Sequence, residues 1–200
     1  MQDTSSPTHS SPSLVPPATP LNRLDADMRA LCAQLADGQC DRATFLERCA
    51  RLTNSTVGCS RTGIWMFVDT AEGRILRCLA MYDAVNRRMA HVPDETNEVG
   101  AYFKALEEDG YVVASDAQEH PATAGFFAQR LGARGVRSLL ASSFSVNGQV
   151  FGAFTCTQVG EKMAWSAKQL AALRLIGGPA SLALFKESRF TPDTGLGPLV

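Results

Sequence analysis

Apolar and polar positions alternate most clearly around Asn147-Gly148, where two runs rich in Val, Phe, Thr and Ser flank a two-residue turn. A type I′ turn needs positive φ at both central positions, which Asn-Gly tolerates best, so this segment predicts a β-hairpin. The turn places Val146 opposite Gln149 and Phe144 opposite Phe151.

The predicted register divides the hairpin side chains between two faces. One face carries Leu140, Ser142, Phe144, Phe151, Ala153 and Thr155, and the other carries Leu139, Ala141, Ser143, Ser145, Val150, Gly152, Phe154 and Cys156. Neither face is cleanly polar, so we expect both to be covered, one by helices and the other by loops with a pocket. The tight turn has to hold this register, because a slip of one residue would exchange the faces.

Helical spacing dominates both ends of the folded region. A stripe at intervals of three and four positions predicts a first helix that ends near Gly38; its members are Leu21, Leu24, Met28, Leu31 and Leu35. Asp41 is expected to cap a second helix, and Ser166 with Gln169 forms a capping box for the last one. Pro179, which follows Gly177-Gly178, predicts a kink in that last helix.

Between these ends the pattern predicts strands and short helices in alternation. Segments 62–69 and 73–83 are expected to be strands, 84–96 irregular, 99–108 a helix ended by Gly110, and 111–114 a strand. A further helix is expected to begin near Pro121 and to end at Gly132. The order α-α-β-β-α-β-α-β-β-α predicts an α+β domain, in which the terminal helices cover one face of an antiparallel sheet.

The folded domain is expected to span residues 21–190. Residues 1–20 are rich in Ser and Pro and are predicted to be disordered, and residues 191–200 are predicted to form a flexible tail. With a formal net charge of −1, the chain has no general attraction to nucleic acid or to an anionic membrane. It has no apolar run of about 18 residues and no export signal, so neither a membrane span nor secretion is expected.

Candidate chemistry is sparse. Six cysteines occur without a C-x-x-C pair or a zinc-site spacing, which favours free thiols in a reducing, cytoplasmic setting. Arg130, Arg134 and Arg137 form a local basic cluster, which is either a solvated helix end or a contact for an anion. His91 and His120 lie in predicted loops, and no spacing of His, Cys or carboxylates supports a metal centre.

Five short motifs follow one another in an order typical of a single family. They are Tyr102-Phe103-Lys104-Ala105-Leu106, Asp116-Ala117-Gln118-Glu119-His120-Pro121, Gly135-Val136-Arg137-Ser138-Leu139-Leu140, Gly152-Ala153 and Lys162-Met163-Ala164-Trp165-Ser166. Together they resemble the GAF domain, a small-molecule sensor module, over about residues 24–188. The likeness is greatest to the GAF domains that lie N-terminal to bacterial histidine kinase and diguanylate cyclase domains. Ser143-Phe144 stands where that family has Pro-Ile, so the chain resembles a divergent member.

The resemblance implies that a ligand lies between the sheet and the irregular segments, here about 84–98 and 116–137. Its expected contacts are the polar side chains of Tyr82, Asp116, Ser138 and Ser143, and the aromatic side chains of Trp65, Phe103 and Phe126. Simpler roles stay open for several of them. Asp116 can cap a turn, Trp65 and Phe103 can belong to the core, and Ser138 can satisfy a backbone group.

The resemblance also defines the competing functions. It implies a cytoplasmic ligand-binding sensor, without catalytic residues, that acts on a signalling partner; it specifies neither the ligand nor a cofactor. A ligand-free dimerisation module is the alternative, because the leucine stripe and the last helix could pair with a second copy in a homodimer. A thiol enzyme similar to the free methionine sulfoxide reductases is supported only by the cysteine count. The bilin-attaching class requires a loop thiol beside a His, which this sequence lacks.

Overall fold

A computed structural model describes residues 21–95 and 100–190. Its helices are α1 (Leu21–Ala36), α2 (Arg42–Val57), α3 (Gly100–Glu108), α4 (Ala124–Phe126) and α5 (Ala167–Phe190). Its strands are β1 (Arg61–Thr70), β2 (Gly73–Asp83), β3 (Arg88–Met89), β4 (Tyr111–Ala114), β5 (Val136–Val146) and β6 (Gln149–Val159). The predicted tails, residues 1–20 and 191–200, lie outside the described residues.

The strands form one six-stranded sheet in the order β3-β2-β1-β6-β5-β4, and every neighbouring pair is antiparallel. The predicted α+β class is therefore confirmed, and so is the predicted order of the elements. The short strand β3 is an addition, because it lies in a segment that was expected to be irregular.

The Asn-Gly hairpin forms as predicted, but its register changes beyond the turn. Asn147 and Gly148 have φ values of 52° and 80°, and Val146 pairs with Gln149. A β-bulge then leaves Phe151 without a partner, so that Phe144 lies opposite Gly152 instead of Phe151. An added Cβ on Gly152 would collide with the Trp65 carbonyl of β1 and with the Phe144 ring, so the close approach of these groups requires glycine here.

The bulge makes the predicted face assignment wrong for most of β6. Phe154 and Cys156 share a face with Leu140 and Phe144, and their side chains pack beneath the long helices. Ala153 and Thr155 lie on the opposite face with Leu139 and Ala141. The physical reason is the two-residue period of a strand, in which one extra residue moves every later side chain to the other face.

One face of the sheet is covered by α1, α2 and α5. The leucine stripe of α1 packs into this core, where Leu24 and Met28 are completely buried. Asp41 caps α2 as predicted, since its carboxylate accepts a hydrogen bond from the Thr44 amide at 2.7 Å. The predicted capping box of α5 is also present, because the Gln169 amide donates to the Ser166 hydroxyl at 3.2 Å and the Ser166 amide donates to Gln169 Oε1 at 2.9 Å.

Two details of the predicted helices differ. The chain is still in a turn at Pro121, since α4 begins at Ala124 and continues as a π-helical turn (Phe127–Leu131) and a 3₁₀ turn (Gly132–Arg134). The helical stretch therefore ends at Gly135, whose φ is 69°, and not at Gly132. Helix α5 runs through Pro179 to Phe190; the predicted kink stays a prediction.

The second face of the sheet is covered less regularly. Its core joins α3, α4 with its π-helical continuation, and apolar residues of the segment that follows β3. Short helices and irregular chain cannot present a continuous ridge to a sheet, so this is the face where a gap can remain. Among the described residues, no helix is long and apolar enough to cross a membrane.

Candidate functional site: a cavity over the second face of the sheet

A cavity of about 240 Å³ lies between the second face of the sheet and the chain that covers it. Most of its lining is apolar, and charged side chains occupy part of the wall. The lining residues are Arg61, Trp65, Leu76, Met81, Asp83, Ala90, His91, Val92, Pro93, Glu95, Tyr102, Phe126, Leu131, Arg134, Val136, Leu139, Thr155 and Thr157. An apolar concavity with a few placed polar groups is the usual design of a small-molecule site.

The floor of the cavity is built from alternate positions on the central strands. Met81 and Asp83 on β2 line it, as do Thr155 and Thr157 on β6. The residues between them face the helices, because successive side chains of a strand point to opposite faces. The cavity is therefore floored by strands that the long helices hold rigid from behind.

Trp65 is fixed against the floor by a hydrogen bond. Its indole Nε1 donates to the Thr155 hydroxyl at 3.0 Å, and that hydroxyl is 3.4 Å from the Gly63 carbonyl, to which it donates. An added Cβ on Gly63 would collide with the indole nitrogen, so the absence of a side chain there makes room for the ring. The ring thus forms a pre-oriented aromatic wall.

The first ion pair of the wall joins Arg61 and Asp83. Arg61 Nε donates to Asp83 Oδ2 at 3.2 Å, and the side chain of Asp83 is only 8% exposed. The Asn86 amide also donates to this carboxylate, at 3.0 Å. Burial by itself would raise the pKa of Asp83, but the hydrogen bonds from Asn86 and the charge of Arg61 outweigh it and lower the pKa.

The second ion pair in the cavity wall joins Glu95 and Arg134. The side chain of Glu95 is 2% exposed; it pairs with Arg134 and also lies 3.6 Å from Arg130 Nε. Glu95 is held on the edge of the sheet by two backbone hydrogen bonds with Leu76, of 2.9 and 2.8 Å. The segment Ala90–Glu95, which we call the strap, is therefore anchored to the sheet by its backbone and to the helical cover by its charge.

The two ion pairs are connected. Arg61 Nη1 donates to the Arg134 carbonyl at 3.4 Å, so the β1 guanidinium touches the turn that carries the second pair. Two of the three arginines in the basic cluster take part in this arrangement. Arg130 and Arg134 do contact an anion, and that anion is the chain's own Glu95.

The structure brings three of the predicted aromatic residues to this side of the sheet. Trp65 and Phe126 line the cavity. Phe103 lies behind that layer, where its ring meets Phe67 edge-on at a centroid distance of 4.7 Å. Phe103 is thus a core residue that supports the site, as its simpler role anticipated.

The four predicted polar residues lie elsewhere. Tyr82 packs on the helix face under the guanidinium of Arg51, 4.5 Å from its ring centroid. Ser138 is buried among backbone groups: it donates to the Ser115 carbonyl at 2.6 Å and accepts from the Met163 amide at 2.7 Å. Ser143 donates to the Gly110 carbonyl at 3.2 Å. None of these three side chains is among the residues that line the cavity, so their role as ligand contacts stays a prediction.

Asp116 takes its simpler role as well. It lies in a turn, accepts a hydrogen bond from the Gln118 amide at 3.1 Å and pairs with Lys162. The hydrogen bond from Lys162 is the main reason why the pKa of Asp116 is lowered. The residue therefore fastens the turn to the loop before α5, outside the cavity lining.

Sequence reasoning missed the charged lining of the cavity. Asp83 ends an apolar strand two positions after Met81, and that spacing could have placed both side chains on one face. Glu95 gave no such signal, because its burial depends on a strap without regular secondary structure. For its partners Arg130 and Arg134 the sequence left open a contact with an anion, but it did not indicate that the anion would be Glu95.

The six cysteines of the chain are not among the residues that line the cavity. Cys78 belongs to the core on the same side, and burial raises its pKa to about 12, so the unreactive thiol form predominates. Among the described residues, no cluster of three His, Cys, Asp or Glu side chains could hold a metal ion.

The sequence model of the GAF domain family matches residues 41–184 of this chain. This chain belongs to the GAF domain family. GAF domains are typically sensory modules that bind small molecules in signalling proteins, so the fold and the general role agree with the resemblance seen in the motifs. No curated protein sequence matches the chain.

Solved structures share this fold at low identity. The phycoerythrobilin-bound GAF domain from a cyanobacterial phytochrome superposes with a TM-score of 0.69 at 14% identity, covering 87% of this chain and 98% of that one. The blue-light absorbing form of the Thermosynechococcus elongatus PixJ GAF domain gives 0.60 at 17%, covering 78% and 92%. The free methionine-R-sulfoxide reductase from Neisseria meningitidis, in complex with its substrate, gives 0.66 at 13%, covering 88% and 97%.

These structures show that one fold can serve both ligand binding and catalysis. The choice between the two roles therefore has to be argued from the residues of the site. The cavity does not fit a covalently attached bilin, because its lining contains no thiol for the bond. Its volume of about 240 Å³ also falls below the roughly 300–1,000 Å³ usual for pockets that hold drug-sized ligands.

Proposed function

We propose that this GAF domain is a sensor of a small, largely apolar metabolite, which it binds in the cavity and reports to a signalling partner. The observation that carries the proposal is the combination of an apolar cavity with two ion pairs built into its wall. A cavity kept only by imperfect packing would have no reason to contain buried charges, which are costly to desolvate.

The chemistry of the wall indicates how the ligand is held. Both carboxylates are already engaged by guanidinium groups, whereas each guanidinium has more N–H donors than its partner uses. A ligand with an oxygen acceptor at one end and an apolar body can therefore use the spare donors of Arg61 and Arg134. Trp65 and Phe126 would enclose the apolar body.

Ligand binding would act through the strap. The strap Ala90–Glu95 lines the cavity and is tied to the helical cover by Glu95. A bound ligand would therefore change the populations of the closed and open arrangements of the strap and of the helical cover. We propose that a partner protein in the cytoplasm reads this change in trans. The six free thiols support a reducing compartment as the place of action.

The test is native mass spectrometry of the purified chain, followed by a thermal-shift screen of small metabolites. We expect retained extra mass, or a metabolite that raises the melting temperature in a concentration-dependent way. Val136→Phe fills the cavity from β5 and should abolish the shift. Val85→Phe adds the same volume at a position that is 72% exposed and should leave it intact. A shift that survives Val136→Phe would refute binding in this cavity.

A ligand-free dimerisation module is the second candidate. A groove of about 490 Å³ lies between α1 and α5; it is lined by Arg29, Cys32, Leu35, Ala36, Pro179, Leu182, Ala183 and Lys186. Leu182 is 47% exposed there, whereas the stripe residues Leu24 and Leu31 are buried in the chain's own core. Leu182→Glu is therefore a cleaner test than substitutions in the stripe. A monomer in light scattering for the wild type would rule out this candidate.

A further inference from the structure

A buried pair of cysteines lies on the helix face, on the opposite side of the sheet from the cavity. Cys59 follows Gly58, the left-handed residue that ends α2, and Cys156 lies on the central strand β6. Thr62 bridges the two thiols, since its Oγ1 lies 3.4 Å from Cys59 Sγ and 4.0 Å from Cys156 Sγ. Both sulfurs therefore lie against one and the same hydroxyl group.

The surroundings of the two sulfurs are polar and unequal. Asn54 Nδ2 lies 3.5 Å from Cys59 Sγ and can donate to it, and the Thr62 hydroxyl is a further possible donor. Cys59 retains 4% exposure at the edge of the core, whereas Cys156 is completely buried. Cys59 is therefore the less deeply buried residue of the two.

The pKa values of the two thiols also differ. The hydrogen bond with Cys156, together with those from Thr62 and Asn54, lowers the pKa of Cys59 although burial opposes this. Burial raises the pKa of Cys156. By contrast, burial raises the pKa of Cys32, Cys49 and Cys78, which have no such set of donors. Because the thiolate is the nucleophile, Cys59 is the reactive member of the pair.

We propose that Cys59 and Cys156 form a modification site at which a hydroperoxide is reduced and an intrachain disulfide is made. The Cys59 thiolate attacks the peroxide oxygen, which gives a sulfenic acid at Cys59 and releases the alcohol or water. The sulfur of Cys156 then attacks the sulfenic sulfur, the S–S bond forms, and hydroxide leaves with the Cys156 proton as water. The two thiols supply two electrons, and the hydroperoxide accepts both.

The disulfide would tie the turn between α2 and β1 to the central strand of the sheet. That turn otherwise depends on hydrogen bonds such as the one from Asn54 Nδ2 to the Cys59 carbonyl, 2.8 Å long. The oxidised chain should therefore resist unfolding better than the reduced chain, since a cross-link restricts the unfolded state.

The experiment treats the full chain with hydrogen peroxide, unfolds it, alkylates the remaining thiols and maps the peptides. We expect the number of alkylated thiols to fall from six to four, with a linked peptide that joins Cys59 to Cys156 and disappears on reduction. Cys78→Ser is the matched control and should still form the link. Unchanged thiols, or links confined to other cysteines, would overturn the proposal.

A variant separates the two chemical steps. Cys156→Ala removes the second sulfur, so a sulfenic acid should persist at Cys59 and be trapped by a cyclic dione. If Cys59 stays unlabelled while the variant retains its circular dichroism spectrum, the assignment of Cys59 as the reacting sulfur is wrong. Should the variant fail to fold, the wild-type peptide map decides alone. The result is independent of any ligand in the cavity.

Discussion

The two faces of the sheet are made by the same strands and are packed in opposite ways. On the helix face, α1, α2 and α5 close over a continuous apolar core. On the cavity face, α3, α4 and the strap leave a space of about 240 Å³ and place the Arg61–Asp83 and Arg134–Glu95 pairs around it. The comparison teaches that long regular helices supply the stability, and the irregular cover supplies the room for a ligand.

The polar groups of the two faces differ in kind as well. The helix face buries uncharged side chains that hydrogen-bond to one another, among them Asn54 and Thr62. The cavity face buries ionised groups, whose desolvation is offset only by close partners. Loss of a partner should therefore matter more on the cavity face, and loss of volume more on the helix face.

The largest expected loss of stability is on the helix face. Phe154 is completely buried and meets Phe144 at a centroid distance of 5.6 Å. Phe154→Ala should lower the free energy of unfolding by about 3–5 kcal/mol, measured by urea denaturation. Phe126→Ala, beside the existing cavity, should cost less because fewer contacts are lost. Equal losses at the two positions would contradict the contrast in packing.

Glu95→Gln tests the charges of the cavity face. The change keeps the shape of the side chain but removes the charge that Arg134 and Arg130 share, so unfolding should require about 2 kcal/mol less. Asp94→Asn is the matched control, since its pair with Arg77 is exposed and is expected to contribute about 0–1 kcal/mol. If Glu95→Gln and Asp94→Asn lower the free energy of unfolding equally, the buried ion pair stabilises the fold no more than the exposed one.

Acid should remove the contribution of Asp83. Its pKa is lowered in the folded state, so the stabilisation is present above the unfolded value of about 3.9 and is lost as the pH falls through the folded pKa. At neutral pH, Asp83→Asn should cost about 1–2 kcal/mol. The gap between wild type and variant should close in denaturation curves taken at decreasing pH. A gap that persists at low pH would indicate a packing effect instead.

The smallest effect is expected at the start of α5. Ser166→Ala removes the hydroxyl that accepts from the Gln169 amide and should cost about 1 kcal/mol in thermal unfolding. Ser166→Asp keeps an acceptor and should restore most of the loss. This pair of variants measures how much the N-terminal cap of α5 contributes to the stability of the helix face. A loss that Asp does not restore would count against capping.

Most of the fold could be predicted from local signals. The stripe of α1, the Asp41 cap, the Asn-Gly turn and the capping box of α5 each depend on residues within a few positions of one another, so the sequence displays them directly. The register of β6 was not predictable in this way. The bulge at Phe151 lies next to Gly152, which the Trp65 carbonyl of β1 approaches closely, and that contact joins positions far apart in the chain.

The site shows the same division. The sequence by itself determined the GAF family and the order of the elements, because the motifs and the periodicity are local. Only the tertiary structure decided that Arg61 meets Asp83 and that Glu95, at the end of the strap, meets Arg134. Charge pairs such as these are set by distances across the fold, which no local pattern encodes, and the pairing of Cys59 with Cys156 has the same origin.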